Sequence, residues 1–390
     1  MKKKVLFVFR GLPFHINDGA KQRLYSMIDS YKENGYVIDV LVYFPIRSIK
    51  YLFNYKKVLR TDVNWIFAPH IPVTFSKSFY ILSYLFSSFI YMCISRFRRY
   101  DIIQSEGQGN FCVYTPKYSK LVVDFHGDSY DEFLLRYPGR ESFARLLLKD
   151  MKGSLVRANH VIFVSENLKL QFEKYFEKPI NNYSIISCGV DLSRFAGTSD
   201  VKDFPYTDKI VLGYLGGLQK WQCIETIVDI VMSLREKCDD IYFVLYTNFD
   251  IPKSLGDKLI QMGPDNYMVK NLSFDMVADN LPLLDAGFLI RENLVLNIVS
   301  SPTKILEYLA AGVPIICNHY SGDYSRSVEH GKNGFIFNGF TPTEEEKVEL
   351  LKYLRKVKAN RLEYAMECRY AVKDREFSSE FTSFVSKINA

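Results

Sequence analysis

Twice in this chain a short apolar run closes in a glycine-containing turn and is followed by a helical pattern. Val5–Phe9 leads into a loop from Gly11 to Gly19 and a helical pattern through Tyr31, after which Val37–Phe44 is a second strand. The pattern restarts at Ile210–Leu215, turns at Gly216-Gly217, continues as a helix near Ile224–Arg235 and returns as the strand Ile241–Tyr246. A strand-loop-helix-strand order of this kind commits the chain to parallel sheets covered by helices. At 390 residues the chain exceeds one ordinary core, so the two starts imply two successive α/β domains. Further strands are expected at 101–103, 121–125, 161–164, 285–290 and 314–317. Gly, Thr, Ser, Asp and Pro cluster over 195–209, which reads as a linker. The expected division is a first domain at 1–198, a second at 199–372, and a C-terminal helix at 373–390 packing back on the first.

Composition narrows the function. A hydrophobic content of 48% with 24% charged residues is that of a folded protein. The seven cysteines are scattered with no C-x-x-C pair, which argues against a zinc site or disulfide framework and fits a reducing compartment. Met1-Lys2-Lys3-Lys4 is followed by only five apolar residues before Arg10, so this segment reads as a strand rather than a secretory signal, and the cytoplasm is expected. Residues 1–200 carry roughly +10 and the remainder roughly −4, an asymmetry that points to an anionic partner for the first half alone. No nucleic-acid-binding motif accompanies it, and an anionic membrane surface on the cytoplasmic side fits the same charge. Two segments bear on that. Ser78–Ser95 has no charged residue and is followed by Arg96-Phe97-Arg98-Arg99, yet it lies between strands of one domain. It therefore reads as a core-packed helix, with one face available to a bilayer, rather than a span. The second segment, 47–60, mixes basic and apolar residues and reads equally as a lipid-docking surface or a solvated helix face.

The chemistry concentrates in Ser301-Pro302-Thr303-Lys304-Ile305-Leu306-Glu307-Tyr308-Leu309-Ala310-Ala311-Gly312. Ser301 suits an N-cap, Pro302 the first helical position and Gly312 the C-terminal stop. On a helix Ile305, Leu306, Leu309 and Ala310 share one face, and Lys304, Glu307, Tyr308 and Ala311 the other. Free backbone N–H groups at the N-terminus, with Ser301 and Thr303 beside them, suit a phosphate, and Lys304 adds a cation. Glu307, one turn further in, suits ribose hydroxyls. Lys304 and Glu307 could also be a plain i,i+3 pair, but Arg291 and Ser300 immediately upstream favour an anion site.

Residues 285–316 resemble the donor-binding segment of family 4 glycosyltransferases of the GT-B fold, most closely a subgroup with a Ser-Pro-Thr-Lys…Glu-Tyr-Leu donor helix. The resemblance extends over nearly the whole chain. Gly213-Tyr214-Leu215-Gly216-Gly217-Leu218-Gln219-Lys220-Trp221-Gln222 resembles the glycine loop of the family's second domain. Ala158 to Glu166 resembles the late strand of the first domain, Cys188-Gly189-Val190-Asp191 with Phe195 the turn before the linker, and Glu329 to Phe335 a further landmark. The resemblance implies two Rossmann-like domains facing across a cleft, and a retaining transfer from a nucleoside-diphosphate sugar to a glycan or lipid-linked acceptor. It implies donor binding by Gly19, Gly216, Gly217, Lys220, Arg291, Ser301, Thr303, Lys304 and Glu307, with His126 against the transferred sugar. Glu106 and Asp128, which follow the strands at 101–103 and 121–125, are expected on the acceptor side, Asp128 either orienting His126 or binding acceptor hydroxyls. No metal or other cofactor is expected, because the sequence offers no compact Asp/Glu/His cluster and helix dipole, backbone and basic side chains suffice for the leaving diphosphate. Surface polysaccharide assembly at the inner membrane face is the expected setting.

The sequence departs from the family at three positions. The family's earlier glutamate, eight residues before Glu307, falls at Val299, and the basic pair of the glycine loop falls at Gly217 and Gln222. Lys220, Lys304 and Arg291 are the candidates to replace those charges. Two other readings accompany the transferase: a sugar-nucleotide epimerase of the same fold, and a catalytically silent sugar-nucleotide-binding protein.

Overall fold

The computed structural model describes residues 2–10, 19–46, 49, 59–70, 77–107, 112, 114–196 and 208–389. The loop before Gly19, most of the basic segment 47–60 and the centre of the linker lie outside the described residues.

Strands β1 (Lys4–Arg10), β2 (Val37–Pro45), β3 (Asn64–His70), β4 (Ile102–Glu106), β5 (Lys120–Phe125), β6 (His160–Phe163) and β7 (Tyr183–Ile185) form one parallel sheet in the order β3-β2-β1-β4-β5-β6-β7. β1 is central, with Val5 opposite Ile38 of β2 and Ile102 of β4. Val5, Leu6, Phe7 and Val8 are all buried. A strand covered on both faces needs no polar alternation, which is why it appears in the sequence as an unbroken apolar run. The strand order reverses between β1 and β4, and open α/β sheets bind ligands beyond the strand ends at such a point. The C-terminal helix Phe377–Asn389 buries Phe381, Phe384 and Val385 with Leu24, Ile28 and Ile162 of this domain.

The second sheet comprises β8 (Ile210–Leu215), β9 (Ile241–Tyr246), β10 (Tyr267–Lys270), β11 (Ala286–Leu289), β12 (Ile315–Asn318) and β13 (Gly334–Phe337), all parallel, in the order β10-β9-β8-β11-β12-β13. Its reversal lies between β8 and β11, so the Gly216 turn and Arg291 follow the C-terminal ends of adjacent strands.

The chain divides into Met1–Cys188 with Phe377–Ala390, and Gly189–Glu376. The first border thus precedes the expected 198/199, and the last follows the expected 372/373. The cause is packing. Phe195 belongs to the second core, and the Val190 N–H donates to the Arg375 carbonyl at 3.1 Å, so 189–196 and 373–376 stay with the second domain.

The Ser301–Gly312 segment differs from its expected form in two ways. Thr303–Ala310 is the helix and Pro302 its N-cap, without a side-chain cap bond, so Ser301 stands one residue too early to cap it. Nor are Tyr308 and Ala311 on an open face, since both are fully buried. The Tyr308 hydroxyl accepts from the Leu215 N–H at 2.7 Å, and its ring lies where a Cβ on Gly287 would stand. Tyr308 therefore anchors the helix to β8 and β11, leaving Lys304 and Glu307 as the half-buried polar side chains of the expected open face. At the other end Gly312, φ +78°, closes the helix, and the Val313 N–H reaches back to the Tyr308 carbonyl at 2.9 Å.

Gly287→Ala forces a methyl into the Tyr308 ring. It is expected to destabilise the second domain by about 1–3 kcal/mol in urea unfolding. An unchanged midpoint would contradict the anchoring of this helix through Tyr308.

Candidate functional site

At the β8/β11 reversal three side chains converge on the side-chain oxygen of a fourth. Gln222 Oε1 accepts from Lys304 Nζ at 2.8 Å and Arg291 Nη2 at 2.8 Å, and the Tyr214 hydroxyl lies 3.0 Å from it. Lys304 also donates to the Tyr214 hydroxyl at 2.9 Å and lies over its ring, 4.7 Å from the centroid. Arg291 is buried, and its backbone is pinned by Asn318, whose amide nitrogen donates to the Arg291 carbonyl at 2.8 Å. Gly216, φ +139°, carries the chain past this cluster, and a Cβ there would collide with Lys304 Nζ. Among the described residues no carboxylate forms an ion pair with either cation. Burial pushes the Lys304 ammonium well below its ordinary pKa, and the Arg291 charge lowers it further. Arg291 is lowered by burial too. Two buried like charges sharing a neutral acceptor make a site of unbalanced positive potential, which an anion would relieve.

Glu307 sits one turn along the same helix, and Arg194 Nη1 approaches its Oε1 at 3.7 Å. Arg194 is held in turn by the Phe274 carbonyl, to which it donates at 2.8 Å, and by stacking on the Phe274 ring at 3.6 Å. Burial raises the Glu307 carboxyl above its usual range, while the charges of Arg194 and Lys304 oppose that rise. A carboxylate so placed, only 15% exposed, retains acceptor capacity for hydroxyl groups.

In the first domain His126 follows β5 and Glu106 ends β4, so parallel pairing of these strands sets the two side by side. His126 Nε2 lies 3.1 Å from Glu106 Oε1. Burial lowers the imidazole pKa, but the charge and hydrogen bond of Glu106 outweigh it and leave the ring above its ordinary value. Beneath them Arg23 clamps Asp124 through Nε and Nη2, both at 2.8 Å, and donates through Nη1 to the Ile186 carbonyl at 2.9 Å. A cavity of about 20 Å³ bordered by Phe9, Met27, Glu106, Asp124 and His126 has room for about one water.

The structure thus brings Lys304, Arg291 and Gly216 together, with Gln222 and Tyr214 added, and places Glu307 beside them on the same helix. Gly217 serves through its carbonyl, which accepts from the Tyr214 hydroxyl at 2.7 Å. Ser301 and Thr303 flank the helix start, half-buried. Lys220 is exposed in the short turn Lys220–Gln222 and takes no part in the Gln222 cluster. Gly19 opens the helix Gly19–Glu33, while the preceding loop is outside the described residues. Val299 is buried and contributes no carboxylate. Asp128 differs from expectation. It is fully buried as an N-cap, accepting from the Tyr130 and Asp131 N–H groups at 3.0 and 3.2 Å and from the Tyr175 hydroxyl at 2.7 Å, so Glu106 rather than Asp128 partners His126. Among the described residues no three His, Cys, Asp or Glu side chains are grouped to share a metal ion. Arg194 joins Glu307 from between Asp191 and Phe195, in the turn before the linker. The signal was its position in that turn, not its residue type.

Residues 17–194 match the profile of Glycosyltransferase Family 4. No curated protein sequence matches the chain. Among solved structures, the chain is similar to the Anabaena protein HepE in complex with UDP, at 17% identity and a TM-score of 0.70 over 99% of both chains. HepE in complex with UDP-glucose matches at 15% identity and a TM-score of 0.67, over 98% of this chain and 99% of that one. It is likewise similar to sucrose-phosphate synthase from Thermosynechococcus elongatus, at 12% identity and a TM-score of 0.72, over 100% of this chain and 98% of the other. A glycosyltransferase from Rickettsia africae matches at 14% identity and a TM-score of 0.69, over 98% and 96%. The fold is GT-B, two Rossmann-like parallel-sheet domains in one chain.

Replacing Glu106 with Gln removes the charge that lifts His126 and leaves the burial that depresses it. In wild type the ring is expected to titrate above 6.5, and in Glu106→Gln below it, followed by NMR of the imidazole protons. Because the folded-state value is raised, the stability this pair adds is full below the unfolded value and is lost as pH rises through the folded one. An unshifted midpoint would remove Glu106 as the partner.

Proposed function

We propose that the chain is a retaining glycosyltransferase that moves a sugar from a nucleoside-diphosphate sugar to a glycan or lipid-linked acceptor. The observation that carries this reading is the buried, uncompensated pair Lys304 and Arg291 at the strand reversal of the second domain. A diphosphate supplies the missing negative charge. The family profile over 17–194 and the UDP and UDP-glucose held by the structurally similar HepE support the same class of ligand.

In this reading the leaving diphosphate rests on the N-terminus of the Thr303–Ala310 helix, with Lys304 and Arg291 neutralising the charge that develops as the glycosidic bond breaks. Ser301, Thr303 and the Gly216-Gly217 turn border it, and Lys220 is an exposed cation at its rim. Glu307, steadied by Arg194, receives the ribose hydroxyls. On the first domain His126 meets the transferred sugar with Glu106 holding the ring, and the acceptor hydroxyl attacks on the face the diphosphate leaves. No side chain is assigned as a nucleophile and no step needs a metal. The setting we propose is the cytoplasmic face of the cell membrane, in surface polysaccharide assembly.

The test begins with the nucleotide sugar that most raises the melting temperature of the wild type. Lys304→Ala and Glu307→Ala are each expected to lower transfer from that donor by about a hundredfold or more, with the circular-dichroism spectrum unchanged. Wild-type-like turnover in either variant would overturn the assignment. Donor incubated without acceptor separates the rival readings, since an epimerase converts it and a silent binder leaves it intact even with acceptors present.

A further inference from the structure

The helix Lys77–Arg98 joins β3 to β4 and is turned inside out. Its protein-facing side is polar: Ser83, Ser87, Ser88 and Ser95 are buried, together with Tyr80 and Tyr91. Small side chains there let the helix lie close against the fold, and hydroxyl contacts fix it. The Tyr43 hydroxyl donates to the Ser87 carbonyl at 2.6 Å, the Tyr91 hydroxyl meets Thr115 Oγ1 at 2.7 Å, and the Tyr118 hydroxyl donates to the Ser95 carbonyl at 3.3 Å.

The outward side is the apolar one. Ile81, Leu82, Leu85, Phe86 and Phe89 are each between 50% and 59% exposed and recur at the three- and four-residue spacing of a single stripe. Soluble proteins rarely leave a continuous aromatic and aliphatic face of this kind in water. The helix contains no Asp or Glu, and at its C-terminal end Arg96, Phe97, Arg98 and Arg99 are all exposed. The stripe therefore runs into a cluster of three arginines around an aromatic ring that is 88% exposed.

Among the described residues this is the one helix long and apolar enough to cross a membrane. Crossing is excluded by its neighbours. β3 and β4 belong to the same sheet, and the serine and tyrosine side is already packed on the domain. A helix held along one side can enter a bilayer only by its other side, lying parallel to the surface.

We infer that the outward face of the Lys77–Arg98 helix docks the first domain on an anionic phospholipid bilayer, with Ile81, Leu82, Leu85, Phe86 and Phe89 in the acyl boundary and the terminal arginines among the headgroups. Charge decides between a bilayer and an apolar protein partner: the helix carries no carboxylate, Arg96 and Arg99 stand exposed at its end beside Arg98, which pairs with Asp39 at 3.0 Å, and the first half of the chain is net positive by roughly ten charges. The surface is independent of the donor-site assignment, since none of its residues belongs to the second domain.

Sedimentation of the full chain with phosphatidylcholine vesicles, and with vesicles also containing phosphatidylglycerol, tests this. Wild type is expected to bind the anionic vesicles, and a Leu82→Ser, Phe86→Ser, Phe89→Ser variant to bind at least about tenfold more weakly, because the apolar area is removed. Arg96→Glu with Arg99→Glu should lose the preference for anionic lipid. Because the replaced side chains are exposed, the triple variant should melt no lower than wild type and bind the donor nucleotide unchanged. Absence of wild-type binding to anionic vesicles overturns the inference. So does equal binding by the triple variant, or a lipid-free dimer by light scattering that the triple variant breaks.

Discussion

A single amide oxygen, Gln222 Oε1, holds two buried cations and a buried phenol in register, and much of the second domain is arranged to make that possible. Lys304 comes from a helix, Arg291 from the end of β11 and Tyr214 from β8, and none could reach the others without the close stacking of those three elements. Tyr308 supplies the stacking, its ring over Gly287 and its hydroxyl on the Leu215 N–H. Two like charges in a region of low dielectric repel strongly, and a neutral amide offsets only part of that cost. The cluster is therefore poised for an anion, which a carboxylate in the same place would have excluded by filling it.

The positions of charge explain how this chain departs from the family it resembles. The glycine loop carries Gly217 and Gln222 where the resemblance implies a basic pair. Gln222 has become the holder of cations that arrive from elsewhere, Arg291 from the neighbouring strand and Lys304 from the helix. Glu307 is approached by its own arginine, Arg194, and acts on Lys304 only through space, without an ion pair. The first domain uses the same architecture differently. At its strand ends the Arg23–Asp124 clamp is internally neutral, and the His126–Glu106 pair above it offers a hydrogen-bonded imidazole rather than a bare charge.

Fully buried strands were the legible part of the sequence, because their apolar runs need no partner to be recognised: 210–215 and 241–246 coincide with β8 and β9. The edge strands β3 and β10 were not read, since half-buried residues such as those of Asn64–His70, with an internal proline, carry neither a continuous run nor clean alternation. Lys304, Arg291 and Glu307 were legible because charged residues beside a short, well-ended helix stand out. Gln222 and Arg194 were not, because their roles arise from long-range contacts that one sequence does not display. Asp128 is ambiguous in the sequence for the opposite reason: an acidic residue after a strand suits a ligand and an N-cap equally, and the Tyr130 and Asp131 N–H contacts show the N-cap. The inverted helix Lys77–Arg98 shows the same limit, since its hydropathy was plain but not which side faced inward.

Burial and the neighbouring Arg291 charge hold the Lys304 ammonium well below its ordinary pKa. Calorimetric titration of the full chain with UDP, repeated in buffers of different ionisation enthalpy, measures that directly. A diphosphate beside Lys304 restores the favourable environment for its charge, so binding is expected to take up protons at mildly alkaline pH, and Lys304→Met should abolish the uptake. Uridine, lacking the phosphates, should bind more weakly and without uptake. UDP binding no tighter than uridine, or with no Lys304-dependent proton uptake, would contradict the diphosphate site.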